Sequence, residues 1–74
     1  MNIRGKEVED PSVKTLIKVE ATRGLQKHAR NNIKTCKSIM ESKGFLCLEI
    51  LIENGKGEVQ YNSAMVVMEI ETLL

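Results

Sequence analysis

The chain has 74 residues, of which 42% are hydrophobic and 28% charged, with a formal net charge of +1; this is one small domain of ordinary globular composition, with too little net field to draw nucleic acid or a membrane to the molecule as a whole. Two cysteines and one histidine exclude a disulfide scaffold and leave most metal and triad chemistry without parts. No apolar run reaches the roughly eighteen residues of a membrane span, and the polar start lacks a signal-peptide core, so the expected compartment is the cytoplasm.

Residues 1–11 are mostly polar and close on Asp10-Pro11, which predicts a tail or a short edge strand. Residues 12–74 then form the single domain. Val13 to Thr22 alternates, with Val13, Thr15, Ile17, Val19 and Ala21 on one side and Lys14, Leu16, Lys18 and Glu20 on the other. That period of two predicts a first half-buried strand.

After Thr22-Arg23-Gly24 the spacing becomes helical, with Leu25, Ala29, Ile33, Cys36, Ile39 and Met40 forming one apolar stripe. A single helix is predicted from about Leu25 to Lys43, capped by Gly44. Phe45 to Glu53 alternates again and predicts strand two. Asn54-Gly55-Lys56-Gly57 reads as a hairpin turn, and Val59 to about Glu71 as strand three. The expected fold is α+β, a two-layer βαββ unit with one helix packed on a three-stranded, mainly antiparallel sheet.

One face of such a sheet stays uncovered and carries Leu16, Phe45, Cys47, Leu51, Tyr61, Met65 and Val67. A patch of that kind, on a chain that buries only about 60% of its surface on folding, predicts a homo-oligomer, dimer or higher, sealed by Leu16, Leu51, Tyr61, Met65 and Val67.

Charge is segregated along the chain. Six basic residues and one acid lie between Arg23 and Lys43, a net +5, and the remainder carries −4. Arg23, Lys27, Arg30, Lys34 and Lys37 are spaced four, three, four and three apart, which on one helix makes a basic face able to engage an acidic protein surface. Nucleic acid is the alternative partner, although the two aromatics, Phe45 and Tyr61, lie off that helix and offer it no stacking platform.

Catalytic parts are sparse. His28 and Cys36 are eight residues apart, about 12 Å along a helix, too far for one metal ion or one hydrogen bond. Glu49, Glu53, Glu69 and Glu71 could meet across strands two and three, yet no base or nucleophile accompanies them. No catalytic residue, metal site or cofactor is assigned. The expected function is a small non-enzymatic binding protein, of regulator or inhibitor type, that self-associates and uses its basic helix face.

The order strand, helix, strand, strand over Ser12 to Ile70, closing on Glu58-Val59-Gln60-Tyr61-Asn62-Ser63-Ala64-Met65-Val66-Val67-Met68, resembles the dodecins. The resemblance implies a βαββ shape, a hollow oligomer and sequestration of a small ligand as an alternative function. Dodecins stack flavin on a tryptophan and contact it with a glutamine. This chain has no Trp, with Phe45 or Leu46 near the first position and Asn62 near the second, so flavin binding does not carry over.

Overall fold

A computed structural model describes residues 11–74. Among these residues four helices follow one another, α1 (Pro11–Ala29), α2 (Ile33–Glu41), α3 (Gly44–Asn54) and α4 (Glu58–Leu73). No strand occurs among the described residues, so the expected βαββ sandwich is overturned in favour of a small all-α fold. The tail expected over 1–11 falls outside the described residues except for Pro11, which opens α1.

The physical reason lies in α4. Its buried positions Val59, Asn62, Ser63, Val66 and Ile70 repeat at three and four residues, the helical period, over a segment free of Gly and Pro that is far longer than an ordinary strand. α4 packs most extensively, chiefly against α1 and α3, which lie on either side of it without packing on each other, and the short α2 touches all three. Ala29, Cys36, Ile39, Leu48, Val66 and Ile70 form the core, with Leu25, Phe45, Val67 and Leu73 packed against it. The bundle is elongated, 50 × 19 × 19 Å.

The turns differ from the expectation for identifiable reasons. The expected single helix from Leu25 to Lys43 is two helices broken at Asn31, which takes a left-handed φ of 55°, a region asparagine enters more readily than most residues. Asn32 then caps α2, its side chain accepting from the Thr35 N–H at 3.1 Å, as Asn does well. The hairpin turn expected over Asn54–Gly57 is instead a helix–helix turn, Gly55 to Gly57, after Asn54 closes α3. Gly55 ends α3, its N–H donating to the Leu51 carbonyl at 2.8 Å. Gly57 turns the chain into α4 with a φ of 60°, which glycine tolerates without steric cost.

α1 and α4 run parallel. Arg23 hydrogen-bonds Glu58, and the Asn31 N–H donates to Glu69 at 2.8 Å. Between them lies a buried polar link, in which Asn62 Nδ2 donates to Thr22 Oγ1 at 3.3 Å and Thr22 donates to the Lys18 carbonyl at 2.7 Å. Because Arg23 stands opposite the first residue of α4, the opening two turns of α1 project past it. Leu16 and Ile17 there are 62% and 63% exposed.

Candidate binding surfaces

The five basic residues assigned to one helix face are divided between two helices and the turn that joins them. Arg23 and Lys27 lie on α1, Arg30 in the turn, and Lys34 and Lys37 on α2. Arg23 is occupied. Its guanidinium pairs with Glu58 through Nε at 3.2 Å and through Nη2, and with Glu20 through Nη1 at 2.7 Å. The Glu58 hydrogen bond first, then the charges of Glu58 and Glu20, hold the guanidinium pKa above its ordinary value. Lys27, Arg30, Lys34 and Lys37 are exposed, and among the described residues none of them makes an ion pair.

The corner between α1 and α2 holds these charges in a fixed arrangement. Besides the Asn31 and Asn32 contacts, Cys36 Sγ donates to the Ala29 carbonyl at 3.4 Å, tying α2 back to the last residue of α1. Lys27 and His28 sit in the final turn of α1, where positive charge complements the carbonyl end of a helix.

The residues expected to seal an oligomer do not share a sheet face. Leu16 is exposed near the start of α1, and Leu51 is half-buried on α3. Leu51 lines an open cleft of about 260 Å³ together with Thr15, Lys18, Ile50, Asn54, Gly55, Lys56 and Val59. Tyr61 and Met65 lie on α4, Tyr61 exposed and Met65 half-buried. Val67 borders a shallow groove with Leu46, Glu49, Ile50, Ile52 and Glu53 of α3.

The carboxylates expected to gather do not. Glu49 and Glu53 are one turn apart on α3, whereas Glu69 turns towards α1 to accept from Asn31. Among the described residues no three His, Cys, Asp or Glu side chains come together to hold a metal, and no helix is long and apolar enough to cross a membrane. Cys36 is fully buried, and burial and then the Glu69 charge push its thiol up, which favours the unreactive protonated form. Cys47 is exposed.

Glu20, Glu58, Thr22 and Asn62, which hold α1 to α4 or pair with Arg23, have no assigned role in the sequence pattern. An acid three residues before Arg23 is a helical ion-pair signal, and Glu58 directly after Gly57 is a first-turn acid. The link from Thr22 to Asn62 joins residues forty apart and has no local signature.

No family model, curated protein or solved structure matches the chain. The likeness to dodecins rests on the order of strand, helix, strand, strand over Ser12 to Ile70, and the absence of any strand among the described residues removes that ground.

Proposed function

We propose that the chain is a small, cytoplasmic, non-enzymatic and self-associating binding protein whose basic corner between α1 and α2 engages an acidic protein surface. The observation that carries this reading is the contrast among the five cations. Arg23 serves the fold, while Lys27, Arg30, Lys34 and Lys37 stand exposed with no ion-pair partner among the described residues. Unpaired charges on two helices joined by a short, hydrogen-bonded turn are pre-positioned, so less side-chain and backbone freedom is lost when a carboxylate-rich surface docks.

The experiment is retention of the purified chain on immobilised polyglutamate and on immobilised duplex DNA across a salt gradient. Stronger retention on polyglutamate, reduced on the order of tenfold by Lys34→Glu with Lys37→Glu, is the expected result. Stronger retention on duplex DNA, falling steeply with salt, would replace the acidic protein with nucleic acid, and no retention on either would remove the role of the corner.

A further inference from the structure

The contacts of α4 divide its circumference, since successive residues are about 100° apart around a helix. Glu58, Asn62 and Glu69 point to the α1 side, Gln60 and Val67 to α3, and Val66 and Ile70 into the core. The remaining arc carries Tyr61, Ala64, Met65 and Met68, spaced i, i+3, i+4 and i+7. Between Tyr61 and Met68 no charged residue interrupts it; Thr72 continues the arc and Glu71 edges it on the α3 side, both in the last turn. Tyr61 and Met68 are 61% and 57% exposed, and Ala64 and Met65 are half-buried.

The two flanks of this stripe differ in sign. On the α1 side, one turn beyond the Arg23 and Glu58 pair, Lys27 is exposed and unpaired among the described residues. On the α3 side Glu49 and Glu53 edge the groove beside Val67, likewise exposed and without an ion pair. α1 runs parallel to α4, and α3 runs back along it, with the Ile52 carbonyl accepting from Gln60 at 2.7 Å. Lys27 and Glu49 therefore stand at about the same height, on opposite sides of Ala64 and Met65.

We infer that this face binds a second copy of the chain about a two-fold axis running along α4, so that the two α4 helices pack in parallel and Lys27 of each copy meets Glu49 of the other. The inference rests on the self-association proposed above and says which surface performs it. A two-fold interface must complement itself. An axis along the stripe exchanges its flanks, bringing the basic edge of one copy over the acidic edge of the other. An axis across the stripe would instead set Lys27 against Lys27 and Glu49 against Glu49. Ala64 lets the backbones approach, and Tyr61 and Met68 supply the apolar contact. A stripe about 24 Å long on one helix gives an interface at the small end of the specific range, the class of weak and transient contacts. Arg30, Lys34 and Lys37 stay free for the acidic partner.

The test is sedimentation and native mass spectrometry of the full chain, with circular dichroism to confirm helicity, for wild type, Lys27→Glu, Glu49→Lys, the double variant and an equimolar mixture of the two single variants. Each single change is expected to weaken the dimer on the order of tenfold. The double variant should return to near the wild-type constant, and the mixture should yield the mixed dimer. Met68→Glu should leave a monomer. A wild-type chain that stays monomeric at high concentration overturns both this inference and the self-association beneath it. A dimer indifferent to Met68→Glu and to the charge exchange overturns this face and leaves self-association standing. Loss on Met68→Glu without any response to charge exchange overturns the axis.

Discussion

At one end of the bundle α2 lies against the other three helices, and six side chains, Ala29, Cys36, Ile39, Leu48, Val66 and Ile70, close a core. At the other end α1 and α3 face each other over Val59 across an open cleft, and the start of α1 projects with Val13, Leu16 and Ile17 exposed. The chain is apolar at both ends, so composition does not separate them. What separates them is the presence of a fourth helix: with α2 present the apolar faces meet one another, and without it they meet solvent.

That comparison makes its sharpest claim about truncation. Ile70 is fully buried at the closed end, and Ile70→Ala is expected to cost about 2–5 kcal/mol, lost transfer energy plus a cavity. A domain of this length holds only about 4–10 kcal/mol in all, so the variant should be largely unfolded or close to it. Ile17→Ala, at the open end, should change stability by no more than about 0.5 kcal/mol. Urea midpoints for both variants check the contrast, and similar losses would mean that the open end is covered in solution.

The next effect concerns the turn that sets the open end. A Cβ on Gly55 would stand 2.2 Å from the Leu51 carbonyl oxygen and 3.3 Å from Val59 Cγ1. Backbone must shift, because the same carbonyl accepts the Gly55 N–H. Gly55→Ala should cost about 1–3 kcal/mol. Gly24→Ala, on α1 with open space around the added carbon, should instead stabilise by a fraction of a kcal/mol up to about 1. Paired thermal melts decide between them.

Legibility in the sequence follows the same divide. Of the expected stripe Leu25, Ala29, Ile33, Cys36, Ile39 and Met40, all helical, Leu25, Ala29, Cys36 and Ile39 belong to or pack on the closed core, whereas Ile33 and Met40 are exposed. The break at Asn31 was missed because the helical period runs through a short turn with little loss of phase. Phe45 to Glu53 reads as a strand because almost every position is apolar, a run in which periods of 2 and 3.6 both find matches; Glu49 and Glu53, four apart, fit both periods and do not separate them. Val13 to Thr22 was read as a strand because β-branched residues alternate there, and burial does not correct that reading, since Val13, Leu16 and Ile17 remain exposed. The basic residues were legible as a cluster but not as a surface, because Glu58, which occupies Arg23, comes from a helix thirty-five residues away.

A pH titration refines the closed end. Burial, and then Glu69, raise the Cys36 thiol in the folded chain. A raised folded value gives stability that is fully present below the unfolded thiol pKa, about 8.5, and lost as pH climbs from there through the folded value, because the unfolded chain releases its proton first. Between pH 8 and 10 the denaturation midpoint of the wild type should fall more steeply than that of Cys36→Ala, by at most about 1.4 kcal/mol per pH unit. Equal slopes would mean that solvent reaches the thiol. Under native conditions a thiol reagent should modify the exposed Cys47 well before Cys36.

The smallest expected effect lies where the two ends join. Ser63 sits on α4 between Val59, which floors the open cleft, and Val66, which belongs to the core. It is fully buried, and its hydroxyl has no hydrogen-bond partner. A hydroxyl removed from water without a partner carries a desolvation penalty, and serine is a poorer helix former than alanine. Ser63→Ala preserves the small volume and should therefore stabilise the chain by about 1 kcal/mol, whereas Ser63→Val should lose that gain through overpacking. Matched chemical denaturation of the three proteins gives the sign directly. If Ser63→Ala destabilises instead, water from the cleft reaches the hydroxyl, and the boundary between the wet end and the dry end lies a turn closer to Val66.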